Sequence, residues 1–251
     1  MDGVLSQEEI NALLNNNDAA DSSDEILTES EKDAIGEIAN ISMGTAATTL
    51  FSLVNRRVEI STPVVSFSNW DKIVDEYEKP CVFIKIGYTQ GLNGSNILVL
   101  KEKDVKIITD LMMGGDGTNI NGEIGELHLS AISEAMNQMM GSSATSLSSM
   151  LNRTIDISPP IAEVVDLKNT LNEGEIDSFL SEEFVKISFR MEIGDLVDSE
   201  IMQLYPPAFV KEMCKGVSQN MELDTQSVTE DVPQSSNTAT QAAPIQQPQD
   251  V

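Results

Sequence analysis

Two octapeptides, EIANISMG at 37–44 and EAMNQMMG at 134–141, share four residues at the same spacing, Met43 with Met140 among them. Glu37, Asn40 and Gly44 recur as Glu134, Asn137 and Gly141, each 97 residues further on. A carboxylate binds a cation, and a carboxamide carries both donor and acceptor with which to orient water. Neither residue is a nucleophile beside a base. The only histidine, His128, has no counterpart in the first copy and reads as a helix-start residue rather than a catalytic base. No cluster has metal-ligand spacing, and GGDG at 114–117 lacks the Lys-Ser/Thr of a phosphate loop. A self-contained active site is therefore not visible. The pair fits half of one: an amide that orients an attacking water while another molecule brings the phosphoryl group and its metal.

Such residues must be held by helices. Successive helical residues turn by about 100°, so Asp33, Glu37, Asn40 and Gly44, spaced 4-3-4, share one narrow stripe. Ser130, Glu134, Asn137 and Gly141 repeat it. The opposite faces hold Ile35, Ile38, Ser42, Thr49 and Leu53 in one helix, and Ile132, Ala135, Met139, Ser146 and Met150 in the other. These more apolar faces are expected to meet the core, leaving the stripes outward. Ser30 and Asp33 are expected to cap the first helix. A blander account reads each stripe as a solvated face, with Gly44 and Gly141 easing helix packing beside Ala46, Ala47, Ser142 and Ser143. Common origin of the two copies also explains shared residues. Yet the stripe positions agree at least as well as the core ones, where Ile38 has become Ala135.

The repeat sets the architecture. Residues 43–65 align with 140–162 without a gap, 82–88 resemble 185–191, and 96–100 resemble 200–204. Each half reads as a long helix, a strand near 58–61 or 155–158, a loop, two strands and a closing helix at 101–113 or 206–214. The second copy carries a longer polar loop, DLKNTLNEGEID. The expected fold class is α+β: one pseudo-two-fold domain with an antiparallel sheet and two long helices on one side. The division is 1–14, a short apolar segment; 15–27, a flexible linker; 28–217, the folded domain with repeats about 28–117 and 123–217; and 218–251, a linker or disordered tail rich in Gln, Ser, Thr and Pro. A net charge of −26 over 251 residues repels phosphate backbones and anionic lipid, so neither nucleic acid nor a membrane surface is expected as partner. No apolar run approaches a membrane span, the acidic start is unlike a signal peptide, and Cys81 and Cys214 form no framework, which fits a soluble cytoplasmic protein.

Asp33-x3-Glu37-x2-Asn40 with Pro63, and Ser130-x3-Glu134-x2-Asn137 with Pro159, resemble the signature of the CheC/CheX/FliY phosphatases, which act on the phosphorylated chemotaxis response regulator CheY. The resemblance covers about 28–217. It implies that Asn40 and Asn137 enter the CheY active site and position water for in-line attack on the aspartyl-phosphate. It implies that Glu37 and Glu134 bind a basic residue of CheY. The protein would have no cofactor of its own, and Mg²⁺ would come with CheY.

LSQEEINALL at 5–14 likewise resembles the CheY-binding peptide of the flagellar switch proteins FliM and FliY. Ser6 and Glu9 make a capping box, and Leu5, Ile10, Leu13 and Leu14 form one apolar face. So short a helix folds on binding, and burying four aliphatics gives roughly 6–10 kcal/mol gross, much of it consumed by ordering. Tethered capture of CheY follows. The family's FliN-like C-terminal domain is expected to be absent here, so contacts with FliM, FliG and FliN-like partners at the flagellar C-ring depend on it being present in the full protein. Three functions stand in order: a CheY-phosphate phosphatase at the flagellar motor switch, a non-catalytic CheY-phosphate-binding switch component, and a C-ring scaffold.

Overall fold

The computed structural model describes residues 26–77, 80–167 and 173–217. The expected N-terminal peptide lies outside them. The folded unit begins before residue 28: Leu27 is fully buried and Ile26 packs against the core, so the linker's expected end at 27 is too late.

The helices α1 (Glu29–Val54) and α4 (Glu126–Leu151) have 26 residues each and end on Asn55 and Asn152, both left-handed. Between them run β1 (Val58–Ile60), β2 (Val64–Ser68), α2 (Trp70–Glu76), β3 (Cys81–Gln90), β4 (Gly94–Lys101) and α3 (Glu102–Met112). After α4 come β5 (Asp156–Ile157), β6 (Ile161–Val165), two 3-10 turns, β7 (Phe184–Ile193), β8 (Val197–Tyr205) and α5 over 207–217. The segments expected as loops thus hold two strands, β2 and β6, and a short helix. At β2 only Ser68 is buried, so the strand lacks the apolar alternation that announces one.

The cap of α1 also differs from expectation. Thr28 is the N-cap: the Glu31 N–H donates to Thr28 Oγ1 at 3.2 Å, and the Thr28 N–H to Glu31 Oε2 at 2.9 Å. Ser30 and Asp33 lie inside the helix. Thr28-x-x-Glu31 satisfies two end groups reciprocally, which Asp33 at that distance from Ser30 does not.

All eight strands join one antiparallel sheet in the order β1-β7-β8-β4-β3-β5, with β2 also on β7 and β6 also on β3. Each half therefore lends its outer strands to the other half's hairpin. The centre is β4 on β8, with Leu98 opposite Gln203. Above it α1 and α4 cross antiparallel: Thr45 Oγ1 lies 2.8 Å from Ser146 Oγ, and Thr49 Oγ1 donates to Ser142 Oγ at 2.9 Å. Because Thr45 and Ser142, like Thr49 and Ser146, are repeat twins, the two bonds exchange across a pseudo-two-fold axis. Thr49 and Ser146, expected to face the core, sit instead in this seam. The core lies between the helix pair and the sheet, with Ile35, Ile38, Met43, Ile132 and Met139 against Ile84, Leu98, Ile187 and Ile201. The other sheet face carries a smaller cluster in which Trp70 and Ile73 of α2 meet Phe83, Phe184 and Leu180.

Candidate functional site

On α1, Asp33, Glu37, Asn40 and Gly44 are all exposed, as the 4-3-4 spacing requires once Ile35, Ile38 and Ser42 turn inward. On α4, Ser130 and Glu134 are exposed while Asn137 and Gly141 are half-buried. Both stripes lie on outer flanks of the helix pair, the first beside β1 and β2, the second beside β5 and β6, at opposite ends of the sheet. Asn40 and Asn137 stand about seven residues either side of the crossing, so they are roughly 20 Å apart along the helices.

The first stripe borders a groove of about 380 Å³ lined by Lys32, Asp33, Glu37 and Asn40 on one wall and by Thr62, Pro63 and Val65 on the other. Lys32 Nζ sits 2.5 Å from Glu29 Oε1 and 5.2 Å above the Phe67 ring. Among the described residues neither Asn40 nor Asn137 makes a side-chain hydrogen bond, so both amides are available to an incoming group. Glu37 is equally open, whereas Glu134 Oε1 accepts from Gln138 Nε2 at 2.6 Å.

The prolines need one refinement. The pairing registers place Val64 opposite Ser188 and Ile161 opposite Lys85, which makes Pro160 the twin of Pro63. Pro160 is buried and Pro159 exposed. His128 Nδ1 accepts the Gly125 N–H at 3.2 Å and so closes the first turn of α4.

Glycines at 44 and 141 are not packing devices: a Cβ at either meets nothing within 4 Å. The described residues contain no group of three or more His, Cys, Asp or Glu placed to share a metal ion. No described helix is long and apolar enough to cross a membrane. Titrations strongly shifted by burial lie elsewhere; Cys81 and Cys214, for example, are each pushed up to about 11. The stripe can bind a cation and orient water, but holds no electrophile. Sequence reasoning overlooked the residues in which the copies differ, Lys32, Ile41 and Phe51 among them; subtracting one copy from the other reveals them.

The model of the CheC-like family matches residues 31–67 and 127–164, so each matched segment carries one stripe and the strand entry beside it. The chain is 47% identical over 218 residues to the flagellar motor switch phosphatase FliY of Bacillus subtilis, covering 85% of this chain and 57% of that protein. It is 24% identical over 143 residues to the CheY-P phosphatase CheC of the same organism, covering 55% of this chain and 67% of that one. The crystal structure of Thermotoga maritima FliY superposes with a TM-score of 0.72 at 40% identity, over 78% of this chain and 99% of that one.

Proposed function

Since the chain belongs to the CheC-like family, we propose that it hydrolyses the aspartyl-phosphate of phosphorylated CheY, using one amide on each long helix. The observation that carries this reading is the pair of unbonded amides, Asn40 and Asn137, each midway along an outward stripe. Binding alone has no need of a group that orients water.

In the proposed reaction CheY lays its phosphoryl group against the stripe. The Asn40 or Asn137 side chain hydrogen-bonds a water in line with the scissile bond. The water oxygen bonds to phosphorus, the P–O bond to the aspartate breaks, and the products are free carboxylate and inorganic phosphate. Positioning is the main contribution available when the phosphoryl chemistry needs little covalent help. Glu37 or Glu134 pairs with a cationic side chain of CheY and sets the register. Mg²⁺ belongs to the partner in this scheme, where it neutralises charge on the phosphoryl oxygens. Asp33 and Ser130, with Pro63 and its twin Pro160, support the stripes. The site of action is the flagellar motor switch, on the strength of the relative at 47% identity.

Loss of phosphate from acyl-phosphorylated CheY, with and without the protein, tests the reading. Asn40→Ala together with Asn137→Ala should abolish the acceleration while CheY is still bound. A fully active double variant would overturn the assignment.

A further inference from the structure

We propose that the two stripes are unequal docking sites, with Ile41, Phe51 and Arg57 making the first the tighter one for phosphorylated CheY; this rests on the phosphatase reading above. Phe51 stands seven residues beyond Gly44 and eighteen beyond Asp33, five whole turns, so it falls on the stripe itself. It is 47% exposed, and Ile41, next to Asn40, is 43% exposed. Single exposed apolar residues are ordinary. Here Phe51 lies on the stripe and lines a groove, while Ile41 flanks the stripe beside Asn40.

A second groove, about 520 Å³, continues along α1 from Gly44 and Thr48 to Phe51, walled on its far side by Arg57, Val58 and Ile60. The groove at Asp33–Asn40 and this one follow each other along α1, the first ending at Asn40 and the second beginning at Gly44 one turn further on. The end at Asp33 is acidic, with Glu29, Asp33 and Glu37 around a single cation, Lys32, which pairs with Glu29, while the far end carries Arg57 beside Glu59, next to Arg56. Arg57 contacts Glu59 and is otherwise exposed. A partner that meets the acidic end with its active-site cation therefore reaches a phenyl ring and a guanidinium further along, residue types enriched at interfaces.

The second stripe keeps one arginine, Arg153, the twin of Arg56, which pairs with Glu212, but it lacks the other parts. The twins of Ile41, Phe51 and Arg57 are Gln138, Ser148 and Thr154. Ser148 is turned inward, its Oγ donating to Ala144 O at 2.8 Å and accepting the Ile155 N–H at 2.9 Å. Gln138 holds Glu134, the carboxylate that must take the partner's cation, at 2.6 Å. The occupant of the second groove is the same CheY molecule whose phosphate faces Asn40, because Gly44, one turn beyond Asn40 on the stripe, also lines that groove.

Calorimetric titration of the full chain with beryllofluoride-loaded CheY, whose site for the 5–14 segment is first saturated with free peptide of that sequence, should give two sites differing about tenfold in Kd. Phe51→Ser, which installs the second stripe's residue, should merge them into two equal weak sites. In an Asn137→Ala background, where only the first stripe turns over, Phe51→Ser should raise KM about tenfold with kcat little altered. Equal affinities in the unaltered chain, or a Phe51→Ser variant that weakens both sites alike, would overturn the proposal. If the unaltered chain accelerates no hydrolysis, the phosphatase reading fails first; hydrolysis shared equally by two equal sites sinks only the inequality.

Discussion

A glycine inside a helix costs about 1 kcal/mol relative to alanine, and this chain places one at Gly44 and again at Gly141. Since a Cβ at either position points into open space, nothing internal to the fold explains the cost. Close approach of a partner does. Gly44→Ala with Gly141→Ala should therefore stabilise the protein by about 1–2 kcal/mol in chemical denaturation, while lowering kcat/KM on phosphorylated CheY. Unimpaired turnover would remove close approach as the reason for the glycines. At this scale the sequence was most legible where the copies agree: Glu37 with Glu134, and Asn40 with Asn137, stand out because little else between them is kept. It was least legible where they disagree. Phe51 looks like core beside Leu50 until the helix is oriented, and its twin Ser148 gives no hint of a shared role. Of the two adjacent prolines, motif spacing admits Pro159, while the gapless alignment of 43–65 with 140–162 pairs Pro63 with Pro160, and strand register agrees with the alignment.

Elements built on strong burial were easy to foresee, and those without it were not. Both long helices, the strands at 81–90 and 184–193, and the closing helix at 102–112 follow apolar patterns that the core enforces. By contrast β2 and β6 pair along a sheet edge with their side chains mostly wet, so no alternation betrays them. A buried amide that no periodicity announces reaches both long helices from the sheet. Gln203 lies at the pseudo-axis, its Nε2 3.3 Å from Met43 Sδ and 3.8 Å from the twin Met140 Sδ. Its Oε1 accepts the Tyr205 hydroxyl at 3.1 Å. Each helix is thus gripped three residues beyond its asparagine. Gln203→Leu should cost about 1–3 kcal/mol, chiefly by removing an acceptor from the buried Tyr205 hydroxyl, which would keep only Tyr88 and Asn96 beside it. A thermal or denaturant melt reads this directly. A neutral substitution would mean that the amide is dispensable and that helix packing alone sets the register.

At the scale of the molecule the two halves are interleaved rather than juxtaposed. β1 and β2 belong to the first repeat but pair only with β7, while β5 and β6 of the second pair only with β3. The repeat was legible, and with it the pseudo-symmetry. The exchange was not, because pairing partners distant in sequence leave no local trace. One consequence is mechanical. The entry of β2, which walls the first stripe, is held by the second half's hairpin, so neither site exists without both repeats. Residues 28–117 expressed alone should not fold, since the outer strands would lack their hairpin and the α1 face its partner helix. The intact protein should unfold in one step. Its single tryptophan, Trp70, lies in the cluster on the sheet face away from the long helices, whereas far-UV circular dichroism is dominated by those helices. Denaturant midpoints read by Trp70 fluorescence and by circular dichroism should therefore coincide. Separated midpoints would show that the two faces of the sheet come apart independently, and the sites could then be lost on one flank while the sheet survives.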